Sequence, residues 1–239
     1  MCGRYFLSSS VDAMAELFGF QDRPNFPPNY NIAPTQPVPV VRGGAAGRPN
    51  TLHVMQWSFI ANWLKTPPEK PLINARSETI VEKPSFRTAI IRRRCLLPAD
   101  GYYEWRRAGG QRIPFAISPT VGGLVGLAAI WERWQGADGS DIDTVAIITT
   151  QANQALRDIH HRMPVVIQPE NYDTWLSPPR CDDTRVDMNA VRLMQPAAED
   201  FFRAHQVSPA VGAVRNNGPE LLEEVVPAPE EPDAQFSLF

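Results

Sequence analysis

The chain is 239 residues long, 43% hydrophobic, with a formal net charge of −3. That length suits one ordinary domain with a sizeable core, and no apolar run approaches the ~18 residues a membrane-crossing helix needs. The start, MCGRYFLSSS, lacks the apolar stretch of a secretory signal, so a cytoplasmic protein without membrane contact is expected. Three widely spaced cysteines, Cys2, Cys95 and Cys181, argue against a disulfide framework and for a reducing compartment. No Cys or His pair has zinc-ligand spacing, and the adjacent His160 and His161 are poorly placed to share an ion. No metal and no cofactor are expected.

In chain order, Ser8 to Ser10 are candidate N-caps for VDAMAELFGF, where Val11, Met14, Leu17 and Phe18 recur at helical spacing and Gly19 ends the helix. The Pro- and Asn-rich stretch from Pro24 to Pro37 predicts an ordered loop. Strand-like runs follow at Val38–Val41, Leu52–Ser58, Ile113–Ile117, Leu124–Trp131 and Ile142–Thr149, with hairpin turns at Gly109-Gly110 and Asp138-Gly139. Short helices are predicted from Ala152 to Ile159, Glu170 to Leu176 and Val186 to Leu193. The sum is an α+β protein: a single domain over residues 2–222 with a mixed, largely antiparallel, barrel-like sheet flanked by short helices. The acidic, proline-rich EEVVPAPEEPDAQ predicts a disordered tail over residues 223–239.

The negative net charge is unevenly placed. Six acids and no Lys or Arg lie between Glu220 and Phe239, and setting them aside turns −3 into +3. Within the body, Arg87, Arg92, Arg93, Arg94, Arg106, Arg107 and Arg112 cluster in sequence. Such a cluster reads equally as a phosphate footprint or as a solvated basic face.

Met-Cys-Gly is the first chemical signal. Removal of Met1 before a small residue leaves Cys2 with a free α-amine and a thiol on adjacent carbons. An α-amine has a pKa near ~8, so much of it is neutral where a lysine, near ~10.4, is protonated. The amine can form a Schiff base with an aldehyde, and the thiol can then close a thiazolidine on the same carbon. The alternative at this position is a small buried residue. Asn74 and Arg76 in PLINARSET, Glu104 in RRCLLPADGYYEW and His160 and Arg162 in RDIHHRMPVVI are polar residues at the ends of apolar runs. A carboxylate and a histidine can move the protons that imine formation requires, and an asparagine donates and accepts without titrating. Taken singly, Asn74 could hold a turn, Glu104 could pair with Arg106 or Arg107, and His160 could cap a helix C-terminus.

With MCGRY at the start, YNIAPT at 30–35 and VSPAVGAVRNNGPEL at 207–221, these motifs resemble the SOS response-associated peptidase (SRAP) family of abasic-site processing proteins. The resemblance implies a SRAP-like domain that senses abasic sites in single-stranded DNA and crosslinks to them through Cys2. It implies that Asn74 holds the opened sugar, Glu104 moves protons and His160 assists the sugar hydroxyl. It further implies DNA contacts from Arg4, Trp63, Leu64, Arg76, Thr149 and Arg162, with Trp63 abutting bases unless it is simply core. His161 departs from the family's usual aspartate, and Leu64 stands where some members carry a second aromatic. Removal of Met1, conceivably autocatalytic, is the part of the peptidase name that is self-consistent, and no Ser-His-Asp signature is present. A monomer associated with the nucleoid is the expectation.

The last residues, QFSLF, resemble the bacterial sliding-clamp-binding pentapeptide. Gln235 would be the anchor, and Phe236, Leu238 and Phe239 would fill a groove. Two rival readings use the same termini differently: an N-terminal-nucleophile amidotransferase, and a non-covalent module that reads damaged DNA.

Overall fold

The computed structural model describes residues 2–45, 47–177 and 184–225. The chain opens with strand β1 (Tyr5–Leu7) and helix α1 (Val11–Phe18). Ser10 caps α1 by accepting from Ala13 N, and Gly19 closes it in the left-handed region at φ 68°, as the sequence predicts. Ser8 and Ser9 serve a different purpose: their amides and hydroxyls bind the Asp100 carboxylate at 2.5 to 2.9 Å.

Strands β2 (Asn29–Ile32), β3 (Pro37–Arg42) and β4 (Thr51–Gln56) follow. Strand β2 corrects the expectation of a loop from Pro24 to Pro37: despite its asparagines it pairs antiparallel with β1. After β5 (Asn74–Arg76) comes helix α2 (Pro84–Arg92), which the arginine-rich sequence concealed. Pro84 occupies its first turn, where no amide hydrogen bond is lost, and Phe86, Ala89, Ile90 and Ile91 form its buried face.

The long strands are β6 (Arg94–Ala99), β7 (Gly101–Ala108), β8 (Gln111–Pro119), β9 (Val125–Gln135) and β10 (Asp141–Gln151). Gly109 and Gly110, at φ 54° and 79°, make the two-residue turn joining β7 to β8. Gly101 is needed for a close approach: a Cβ there would meet Ile117 O and the Phe6 ring at 2.4 Å. Short elements complete the chain: β11 (Arg162–Pro164), β12 (Val166–Ile167), α3 (Tyr172–Leu176), α4 (Met188–Arg192) and β13 (Phe202–Gln206).

The segment from Ala152 to Ile159 is a run of turns, not the expected helix. Its amides at Gln154 and Ala155 are drawn to the Glu199 carboxylate, and Asn153 bonds across to Ala197 O and Ala198 O. So short a segment has little helical stability of its own, and these tertiary bonds decide its path.

The strands form two sheets. One runs β13-β8-β7-β1-β2 and is antiparallel throughout. The other runs β11-β10-β4-β3-β6-β9-β12, and pairing of β9 with β10 closes its middle into a ring. Strands β4 and β5 pair parallel with β10. The architecture is therefore α+β with a mixed, mostly antiparallel, barrel-like sheet. Its core is centred on Trp57, Trp175, Tyr5, Tyr102 and the apolar residues of β6, β9 and β10. The paired backbone continues past residue 222: Val207 bridges Glu224, and Val225 N donates to Gln206 O at 2.8 Å. Among the described residues no helix is long and apolar enough to cross a membrane.

Candidate functional site

Four elements from distant parts of the sequence bring the predicted site together. Cys2 directly precedes β1, which lies beside β7 with Tyr5 opposite Tyr102, two residues before Glu104. Asn74 begins β5 and pairs with Ile147 of β10. His160 sits between β10 and β11. The link between the first two is direct: Asn74 Nδ2 donates to Cys2 O at 2.9 Å. Asn74 Oδ1 is buried without a hydrogen-bond partner, an acceptor left open beside Cys2.

Cys2 is fully buried and belongs to the main hydrophobic core. Burial pushes its thiol pKa well up, and the nearby Glu104 carboxylate raises it further. The sulfur is therefore a protonated thiol at neutral pH. A small buried residue and a member of a polar site, the two readings the sequence left open, both hold for Cys2.

Glu104 is itself buried, and its carboxylate Oε1 lies 3.7 Å from His160 Nδ1. It reaches His160, not Arg106 or Arg107 as one sequence reading allowed. Burial lowers the His160 pKa from its ordinary 6.5, with partial opposition from Glu104. The backbone N–H of Arg162 donates to His160 Nδ1 at 3.0 Å. An amide N–H can only donate, so the neutral ring carries its proton on Nε2.

Arg162 is held rigidly. Its guanidinium makes a fork with Glu78 at 2.5 and 2.9 Å and donates to Thr149 O at 2.6 Å. These bonds give Arg162 and Thr149 a bracing role behind His160, and make Glu78 a member of the assembly that the sequence did not assign. Replacing Glu78 by alanine is expected to cost about 1–2 kcal/mol, moderated by the 40% exposure of its side chain, read as a shift in the urea midpoint. Arg162 holds the Glu78 carboxyl below its ordinary pKa of 4.5. The stabilisation is therefore complete above pH 4.5 and fades as pH falls through the lower folded value, so wild type and variant should converge in acid.

Two cavities flank the histidines. One, of about 570 Å³, is lined by Gly3, Arg4, Glu104, Trp105, Arg107, Arg112, His160 and Gly212. The other, of about 350 Å³, is lined by Arg76, Gln151, Ala152, Arg157, His161 and Arg162. The His160 and His161 rings lie face to face between these linings, with centroids 4.4 Å apart. Arg4 is anchored from within: it donates to Asn31 Oδ1 at 2.6 Å and to Val211 O at 2.8 Å. Trp63 is 60% exposed, which rules out a core role, while its neighbour Leu64 packs partly into the core and accepts from Trp134 Nε1. Neither lines these cavities.

The sequence cluster of arginines separates in space. Arg94 is buried and bonds Trp175 O, Ile90 O and Ser177 O, and Arg93 pairs with Glu132 at 3.1 Å. Both are structural and correct the reading of one continuous phosphate footprint. Arg107 and Arg112 alone of that cluster reach the Glu104–His160 cavity. Among the described residues no group of His, Cys, Asp or Glu is placed to hold a metal ion. Met1, Cys181 and the tail residues Gln235, Phe236, Leu238 and Phe239 lie outside the described residues.

A fully buried residue-2 thiol, a carboxamide on its carbonyl, and a carboxylate–imidazole pair beside a basic cavity define a class: proteins built for covalent chemistry at the second residue. The chain belongs to the SOS response associated peptidase (SRAP) family, whose model matches residues 1–214. It is 38% identical over 230 residues to the abasic site processing protein YoqW of Bacillus subtilis, covering 93% of this chain and 99% of the relative. It is 31% identical to the abasic site processing protein YedK of Escherichia coli, covering 94% and 100%. Against HMCES of Pongo abelii, also named an abasic site processing protein, identity is 30% over 94% of this chain and 76% of the relative. A crystal structure of a protein from Bacteroides thetaiotaomicron superposes with a TM-score of 0.80 at 25% identity, covering 94% of this chain and all of that one.

Proposed function

We propose that this chain processes abasic sites in single-stranded DNA by covalent capture through Cys2, freed of Met1. The observation that carries the reading is the Asn74–Cys2 hydrogen bond, which ties the second residue into the same polar site as Glu104 and His160. The relatives' names supply the substrate class.

The chemistry balances without a cofactor. The neutral α-amine of Cys2 adds to C1′ of the ring-opened sugar, and the carbinolamine loses water to give the imine. The Cys2 sulfur then bonds C1′ while the thiol proton passes to the imine nitrogen, closing a thiazolidine. Glu104 moves the amine proton and the proton that leaves with water, and the Nε2–H of His160 supports the sugar oxygen. Asn74 Oδ1 offers the amine or a sugar hydroxyl an acceptor. A raised thiol pKa makes the amine the first nucleophile. It disfavours the rival amidotransferase or peptidase reading, in which a thiolate must attack first.

Single strands suit this route because a lesion inside a duplex must be extruded at a cost of a few kcal/mol. The adduct would shield the lesion from β-elimination during replication. The test is a denaturing gel of the full chain with abasic single-stranded DNA: a band that survives denaturation supports the proposal. Mass spectrometry that finds Met1 retained on the active protein would remove its basis.

We also propose that residues 2–222 are the catalytic domain and that the tail beyond 222 tethers it to the replicative sliding clamp through Gln235–Phe239. Deleting Gln235–Phe239 should abolish clamp binding and leave adduct formation in vitro intact; unchanged clamp affinity would end the tether.

A further inference from the structure

The β7–β8 hairpin carries an arrangement that a sheet normally avoids. Its register sets Arg107 directly opposite Arg112, one pair behind the Ala108–Gln111 pair that flanks the turn. Like charges at directly opposed positions repel and destabilise a hairpin. Both residues are exposed, and among the described residues neither joins an ion pair or hydrogen bond.

Trp105 lies on the same face as Arg107, two residues earlier on β7, and the Arg112 guanidinium carbon sits 5.5 Å from its ring centroid. All three line the cavity that also holds Glu104 and His160. That lining presents three guanidinium groups against one carboxylate. Arg4 is already spent on Asn31 and Val211. The remaining positive charge belongs to the hairpin and faces the chemistry with its donors open.

We infer that Arg107 and Arg112, with Trp105 beneath Arg112, form the seat for a phosphodiester flanking the abasic sugar. This rests on the proposed function and adds the residues that hold the strand during capture. The bound phosphate supplies the counter-charge that the hairpin lacks, and two forked donors match its oxygens. The aromatic face gives a neighbouring sugar or base a surface with no sequence preference.

The test uses the full chain and a single strand containing a tetrahydrofuran abasic analogue, which has no aldehyde and reports binding alone. Affinity is measured by fluorescence anisotropy across a salt series. Each phosphate contact on a single strand contributes about −0.7 to the slope of log K against log salt. The R107A/R112A variant should bind more weakly, with a slope shallower by about 1.4. R107K/R112K, which keeps the charge, should restore most of the slope. The exposed α2 pair removed in R87A/R92A should leave it at the wild-type value. Because the alanine variant loses a repulsive pair, it should melt at or above the wild-type temperature. An unchanged slope in R107A/R112A, an equal drop in R87A/R92A, or a marked fall in melting temperature would overturn the phosphate seat. Those outcomes leave covalent capture standing. Its own failure reads differently, as no adduct between wild type and a genuine abasic strand.

Discussion

Replacing Cys2 by alanine abolishes the denaturation-stable adduct with abasic single-stranded DNA; that is the largest effect expected of any substitution in this chain. The reason lies in the order of bond formation. Burial and the Glu104 charge hold the thiol protonated, so the amine makes the first bond and the sulfur makes the locking one. An alanine at position 2 keeps the amine. It should therefore still form a Schiff base, which borohydride can trap but which hydrolyses without reductant. Cys2→Ser should behave the same way, since a hydroxyl closes the ring far less favourably. The measurement is a denaturing gel with and without reductant. A stable band from Cys2→Ala in the absence of reductant would show that another residue captures the sugar. Cys2 is packed in the core, and the loss of one sulfur atom is small enough that the variant should fold.

Glu104→Gln is expected to slow adduct formation by about 10²–10⁴-fold, the usual contribution of a positioned acid–base group. Glutamine keeps the shape and a hydrogen-bonding oxygen but cannot carry a proton from the amine to the departing water. Glu104 is buried at 4% exposure, so water has little access to relay the proton in its place. The fall should appear in the single-turnover rate at saturating DNA and persist across neutral pH. His160, whose pKa burial holds below 6.5, remains neutral there and cannot substitute as the base because its Nδ1 accepts from Arg162 N. A Glu104→Gln variant that reacts at the wild-type rate would assign the proton transfers elsewhere.

Bracing of the histidine by residues outside the chemistry has a physical logic. His160 follows a run of turns, a segment with little stiffness of its own. Its ring is positioned instead by the next strand, through Arg162 N, and that strand is pinned by the Glu78–Arg162–Thr149 network. Alteration at Glu78 should therefore show first as lost stability and only then as a misplaced imidazole.

Local chemistry was legible in the sequence. The α1 helix, its Ser10 cap and Gly19 stop depend on neighbours within a few residues, as does the Gly109-Gly110 turn, and all are where the residues predict. So were the five strand runs, whose apolar, β-branched composition suits a buried sheet, though their ends shifted. Cys2, Asn74, Glu104 and His160 could be named from their motifs, but nothing local says that they meet. That is a consequence of β1 pairing with β7 and β5 with β10, long-range choices made by burying opposite faces. The tertiary structure also decided what charge means at each position. Seven arginines close in sequence became a buried carbonyl ligand at Arg94, an ion pair at Arg93 and an open pair at Arg107 and Arg112. The last of these had a sequence signal, since counting outward from the Gly-Gly turn sets those two face to face. Strand β2 and the turns before His160 had none, because pairing with β1 and bonds to Glu199 outweigh the weak preferences of so few residues.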